Sequence, residues 1–352
     1  MSANNLRVIY QNLADLSTTI ITTPNTANTS TAELANSTIS GNTLIVGSIT
    51  SGSILVGMYL SGGVIPTNTY IVSGSGLSWT LNRSTVQAST TITATETNVH
   101  VSNLTKDTKS LIWKSLIPLG IITVNFGSPK TVSGVILPFT NFTSTAKMNV
   151  TCTGGGSTTS TGDVLACPYY TVDTWDSSYL PKGSSSYAYG GGTYARVWFN
   201  TPQVCTGLTI QITDPSLGYL EASRLIIGDH WSPVHNTSFG LTSAPKSLSA
   251  NSRTESGDLV TNRGIQYNTM NFDLAWLTPS DRTIFTKILK SNGINKGMFI
   301  SLFPNNGTST VDAAIDYDKE QTFQIYGKLS SLVDINHPMY TMYSTKIDIE
   351  EI

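Results

Sequence analysis

The chain has 352 residues, room for two or three domains of ordinary size. Only 12% of them are charged, about half of the ~25% usual in soluble domains, and the formal net charge is -2. No basic stripe is available to neutralise phosphates, so nucleic acid is excluded as a partner.

Thr, Ser, Asn and Gly stand where charges are missing. They are poor helix formers, and with the β-branched residues they point to a mainly β chain. No apolar run reaches the ~18 residues that cross a bilayer, so no membrane insertion is expected. The opening MSANNLRVIYQNLADL lacks a basic segment followed by an apolar one, and no secretory leader is expected.

Four textures follow one another. Residues 1–36 hold LRVIYQNLADLSTTIITT, which alternates well enough for one or two strands, and then the connector PNTANTSTAELANS. Residues 37–96 carry short apolar runs (TLIVGSI, ILVGMYL, TYIVSG, SWTLN, TTITAT) between Gly-Ser, Gly-Gly and Pro-Thr-Asn breaks. Runs of five to seven residues with turn signals between them predict a small β module.

Residues 97–231 contain the strand patterns GIITVNFG, TVSGVILPF, KMNVTCT, ARVWFN, TGLTIQITD and SRLIIGD, interrupted by a Tyr/Ser/Gly stretch from Pro168 to Gly192. Residues 232–352 give the first convincing helix, in LTPSDRTIFTKILKSNG. Thr278 stands at its N-cap, Pro279 at its first position and Asp281 in its first turn, with Gly293 past its end. Ile284, Ile288 and Leu289 form the apolar stripe, and flanking strands make this an α+β domain.

The order NLADL … SNLTKDTKSLIWKS … TVSGVILPFTNF … YLEASRLIIGDHWSP … GDLVTNRGIQYNTMNFDLAWLTPSDR … QIYGKLS … IDIEEI resembles bacteriophage tail-associated virion proteins. Within it, 97–231 is similar to the discoidin-like, or galactose-binding-like, jelly roll. The segment Asp107–Trp113 precedes a V-x-G-V-x-L strand, Val132–Leu137. A later L-x-I-x-I-x-D strand, Leu208–Asp214, leads to a closing E-x-x-R-L-x-I-G strand, Glu221–Gly228. The resemblance implies that Trp113, Val132, Val135, Leu137, Leu208, Ile210, Ile212, Leu225 and Ile227 are core residues. It also implies a mainly β architecture: an inserted module, a jelly-roll β-sandwich, and a C-terminal α+β assembly domain with one clear helix. Residues 37–96 are similar to a unit that recurs in phage structural proteins and fit an outward-facing insertion.

Signals for chemistry are sparse. His230 and His235 lie five apart around Pro233, and neither His100 nor His337 has a partner in sequence, so no metal or cofactor is expected. The run VDAAIDYDKE lacks the Gly and Glu placement of a calcium loop and reads as a solvated loop. Asp163, Asp173, Asp176 and Asp214 could furnish a carboxylate pair, but nothing pairs any two of them. Cys152, Cys167 and Cys205 are expected as buried free thiols.

The segment 168–194 is the candidate contact surface. It offers Tyr169, Tyr170, Trp175, Tyr179, Tyr187, Tyr189 and Tyr194 among Ser and Gly, a composition suited to recognition. Two uses stay open: contact with a host surface glycan, or packing against a neighbouring subunit or the chain's own barrel. The expectation is a non-enzymatic virion tail protein, made in a bacterial cytoplasm, whose partners are other tail proteins and copies of itself.

Overall fold

A computed structural model describes residues 6–23, 31–54, 58–66, 69, 71–95, 101–115, 117–154, 158–167, 193–262, 264–304 and 317–352. Strands dominate them, arranged in a nine-stranded jelly-roll β-sandwich, a seven-stranded sheet with a helix, a five-stranded module and a two-stranded ribbon.

Two long, bent strands form the sandwich's spine. Leu119–Thr140 unites the two runs GIITVNFG and TVSGVILPF, and Thr193–Thr213 unites ARVWFN with TGLTIQITD. They pair antiparallel from Thr193↔Thr140 to Thr213↔Leu119, with bulges where each strand turns. Lys147–Thr153 extends one side, and Ile226–Gly228 covers Val135 and Ile136 on the other. Trp113, Val132, Val135, Leu137, Leu208, Ile210, Ile212, Leu225 and Ile227 all lie in one buried core, as the resemblance implies. Cys152, Cys167 and Cys205 join them as free, buried thiols.

The half of the spine from Val132 to Thr140 is buried on both faces. Val135 and Leu137 point into the sandwich, while Ile136 points outward into a second cluster. Phe139 should follow Leu137 inward, since side chains two apart share a face. It faces outward instead, because its backbone takes φ 57 at a register shift and the alternation slips by one. The partner strand divides in the same way: Ala195, Val197 and Phe199 inward, Tyr194 and Trp198 outward. Gly134 is fixed by this arrangement, for a Cβ there would lie 2.4 Å from the Trp198 ring.

The outward face packs on the seven-stranded sheet, whose order is Arg7–Ile9, Met298–Ser301, Gln324–Leu329, Met342–Glu351, Gln266–Leu277, Thr242–Ser247, with Asn336–Met339 hairpinned onto Met342–Glu351. Ile9, Phe299 and Tyr326 stand side by side in register and meet Ile136, Phe139, Tyr194, Trp198 and Ile226. The opposite face of that sheet carries Val8, Ile300 and Ile325 and packs on the helix Pro279–Asn292. A capping box between Thr278 and Asp281 starts the helix, and Gly293 at φ 52 ends it. Its buried side centres on Phe285 and Ile288, with Ile284 and Leu289 at the margin of the expected stripe.

The first strand pairs with Met298–Ser301, and a short 3₁₀ turn, Leu13–Asp15, then carries the chain to Ile20–Thr22 on the sandwich. The N-terminal segment therefore laces two bodies together. The inserted module begins earlier than its apolar runs indicate, because Thr31–Ile45 is a single strand that takes in part of the expected connector. It pairs with Ser78–Thr95 from Thr31↔Thr95 to Ile45↔Ser78 and closes its own core on Leu34, Leu44, Met58, Ile71, Trp79 and Ile92.

Entry and exit of the module are thus adjacent in one ladder, and its core is self-contained. Replacing 31–95 with a short Gly-Ser link should leave a soluble protein whose main thermal transition lies within a few degrees of the intact chain's. Insoluble protein, or a transition lowered by much more, would show that the module shares its core with the rest.

Candidate functional site

The polar groups that survive burial gather between the sandwich and the seven-stranded sheet. Arg196 stands on the outward face of the spine between Tyr194 and Trp198, and its guanidinium grips Glu320 bidentately, Nε to Oε1 at 2.7 Å and Nη2 to Oε2 at 2.5 Å. Both side chains are buried, and Arg196 Nη1 also donates to the Leu165 carbonyl at 2.8 Å. Glu320 sits on the short helix Tyr317–Thr322. The end of the acidic run is therefore an interior anchor rather than a solvated loop; the desolvation of Arg196 on an apolar strand calls for such a partner.

A second group centres on Glu351. Its carboxylate accepts from the Tyr194 hydroxyl at 3.1 Å and pairs with Lys109 Nζ at 3.0 Å, and the Tyr326 amide donates to the Tyr194 oxygen at 3.1 Å. Burial, followed by the charge of Glu351, pushes the Tyr194 phenol well above its ordinary range. The Lys109 ammonium is held below its ordinary value by burial, opposed by Glu351.

The third group joins the N-terminal segment, the sandwich and the C-terminal sheet. Arg224 Nη2 reaches Asp15 at 2.6 Å and Asp107 at 3.1 Å, and the Tyr326 hydroxyl donates to Asp107 at 2.6 Å. Burial raises the Asp15 carboxyl, with Arg224 opposing. Nearby, His230 Nδ1 shares a 2.6 Å hydrogen bond with Ser133, and burial followed by the Arg7 charge lowers the imidazole to about 4. It is neutral near pH 7.

Chemically these groups are bound to one another across the seam, an arrangement that holds the packed bodies together. The carboxylate of Asp214 is similarly occupied, accepting from the Thr143 amide at 2.7 Å and the Ser216 amide at 3.1 Å. Asp163 accepts from Asn149, and Asp173 and Asp176 lie outside the described residues. Among the described residues there is no group of three or more His, Cys, Asp or Glu side chains able to hold a metal.

Of the expected contact residues, Tyr169, Tyr170, Trp175, Tyr179, Tyr187 and Tyr189 lie outside the described residues, as does His100. Tyr194 is described, and it packs within the chain itself, one of the uses left open for the segment. At 6% exposure it belongs to the interior wall, tilted against Phe139 and Phe299, because the double-sided burial of its strand consumes it. The residues flanking the Tyr-rich segment lie on the same seam: Thr193 bonds Thr140, and the Tyr194 amide donates to Gln321 at 3.4 Å.

Sequence reading passed over the Arg196–Glu320 pair, whose members are 124 residues apart. One signal was present: a lone Arg inside the run YARVWF, whose other residues are apolar on both faces of the strand.

No protein-family model matches the chain, and no curated protein matches it by sequence. Among solved structures it is similar to the family 32 carbohydrate-binding module of C. perfringens NanJ in complex with galactose, at 13% identity, covering 38% of this chain and 86% of that one with a TM-score of 0.27. It is also similar to chitosan-binding module 1 of a chitosanase/glucanase from Paenibacillus sp. IK-5, at 16% identity, 37% and 85% coverage and a TM-score of 0.26. A third is CpGH89CBM32-5 from Clostridium perfringens in complex with GalNAc-β-1,3-galactose, at 12% identity, 38% and 91% coverage and a TM-score of 0.25.

Removing one partner of the Arg196–Glu320 pair strands the other in a dry interior. Arg196→Ala or Glu320→Ala should each lower unfolding free energy by about 3–5 kcal/mol in a denaturant titration, and the apolar double variant Arg196→Met/Glu320→Leu should recover most of that loss. Single variants within experimental error of the wild type would contradict a buried anchoring role.

Proposed function

We propose that this chain is a non-enzymatic structural component of a bacteriophage tail that acts by ordered assembly with other tail proteins and with copies of itself. The observation that carries the reading is the way the charges along its seam are used. Arg196–Glu320, Arg224 with Asp15 and Asp107, and Lys109–Glu351 are closed pairs that lock the sandwich, the N-terminal segment and the α+β domain into one body. From that body project the module 31–95 and the ribbon Ala250–Arg253/Leu259–Asn262, every described residue of which is exposed. A rigid body with projecting β elements suits a part that positions neighbours. The low-charge, Thr/Ser/Asn-rich composition and the order of motifs supply the virion and tail parts of the reading.

A second reading, recognition of a host surface glycan through 168–194, is favoured by the aromatic, Ser and Gly composition of that segment, because aromatic faces stack on sugar rings.

Immunogold labelling of intact virions with antibody to this chain should place gold on the tail; unlabelled virions would overturn the tail assignment. Glycan-array binding by the full chain separates the second reading from the first. Binding that disappears in Trp175→Ala and Tyr187→Ala would establish it, and a blank array would remove it.

A further inference from the structure

Lys109, Lys114, Arg196, Arg224, Lys246 and Lys328 each lie within ion-pair reach of a carboxylate. The outer face of the helix Pro279–Asn292 breaks that pattern. From Arg282 to Lys296 the sequence carries four of the chain's 20 basic residues and no Asp or Glu. Lys287, Lys290 and Lys296 are exposed, and none has an ion-pair partner among the described residues. The helix macrodipole accounts for Lys290 in the last turn. Lys287 is then a like charge three positions away on the same face, an arrangement that costs helix stability unless an anion lies between the two.

This face is held in place from behind. Phe285 and Ile288 are buried against the sheet, and Asn292 Nδ2 donates to the Tyr10 carbonyl at 2.7 Å. Arg282 Nη1 donates to the Tyr343 hydroxyl at 3.0 Å, with the guanidinium 4.7 Å from the ring centroid. Arg282, Thr283, Thr286, Lys287, Lys290 and Ser291 border an open depression of about 650 Å³. The hydroxyls of Thr283, Thr286 and Ser291 donate to the helix's own carbonyls at Pro279, Arg282 and Ile288. Polar contact with anything in the depression therefore falls to the lysine ammonium groups.

We propose that this helix face binds a short acidic segment, extended and rich in Asp or Glu, of another protein in the assembly. Charge complementarity selects the class of partner, and the kind of cation selects among anions. Lysine ammonium groups are point charges that pair with single carboxylates. The one guanidinium, which would fork onto a phosphate, is committed to Tyr343. Three ammonium groups are also fewer than the roughly 6–10 phosphate contacts of a duplex-binding protein. A lipid surface needs apolar side chains on the outer face of a helix, and here Phe285 and Ile288 point the other way. From Thr283 to Ser291 the helix rises about 12 Å, the length of about four extended residues. This deepens the assembly reading above by giving the chemistry of one partner surface, and it rests on that reading.

Fluorescence anisotropy of a labelled hexaglutamate peptide, titrated with the full chain, tests it. The peptide should bind at about 20 mM salt and be released by about 0.5 M, while hexaglutamine should not bind. Lys287→Glu and Lys290→Glu should each weaken binding roughly tenfold, and together by more than roughly thirtyfold. Both lysines are exposed, so the variants should melt with the wild type. Lys147→Glu, at an exposed lysine on the sandwich, should leave binding within roughly twofold. Absence of hexaglutamate binding would overturn the proposal. So would helix variants that bind as the wild type does, or a loss as large in Lys147→Glu. Tighter binding of a ten-residue oligothymidylate, or of vesicles of anionic lipid, would replace the acidic segment by another partner. Self-association of the chain that the two helix variants abolish would replace it by a second copy. None of these outcomes would touch the virion labelling experiment, which reads location rather than peptide binding.

Discussion

The structure depends on a single wall. Between Val132 and Thr140, and between Tyr194 and Phe199, the spine strands have no solvent side: one face fills the sandwich and the other fills the seam with the seven-stranded sheet. A strand buried on one face needs only alternation, but one buried on both must find a complementary surface for every residue. That requirement accounts for the apolar run VILPF, for the flat approach of Trp198 onto Gly134, and for the left-handed backbone at Phe139 that redirects its ring. Loss of fit anywhere along the wall is felt in two cores at once.

The same wall explains where the chain's few charges go. In a molecule with so few ionisable groups, several of them are found at the seam, each matched to a partner far away in sequence. Such pairs contribute less to stability than apolar packing of equal volume, yet an unmatched one is costly, so they act chiefly by making wrong dockings unfavourable. Arg224 shows the principle most clearly: it reads the N-terminal turn through Asp15, the sandwich through Asp107 and the C-terminal sheet through Tyr326 in one constellation.

Much of the fold was legible in the sequence because its signals are local. The helix announced itself through Thr278, Pro279 and Gly293, and the sandwich core through the two motifs, Val132–Leu137 and Leu208–Asp214, that carry the resemblance to a discoidin-like jelly roll. What could not be read was relational. Nothing in YARVWF says that Tyr194 faces a second domain, since a tyrosine bound for an interior seam and one bound for a recognition surface look alike in a strand. The merging of ARVWFN with TGLTIQITD into one bent strand was hidden for a related reason: the intervening Thr-Pro-Gln carries turn residues, and a bulge absorbs them without ending the ladder. Of the candidate contact segment, the structure describes only the end at Tyr194, and there the chemistry is that of a core.

The position of the N-terminal strand has a consequence for synthesis. Ile20–Thr22 and the sandwich strands are all available once residue 228 has emerged, so the jelly roll can close early. Arg7–Ile9 must wait for Met298–Ser301, and Met342–Glu351 lies between Gln324–Leu329 and Gln266–Leu277, so the second sheet cannot be completed until residue 351 is free of the ribosome. At ~5–20 residues per second, the outward face of Ile136, Phe139, Trp198 and Ile226 is left bare for several seconds on each nascent chain. The period of greatest aggregation risk is thus set by the length of chain between residue 228, where the sandwich closes, and residue 351, where the second sheet is completed.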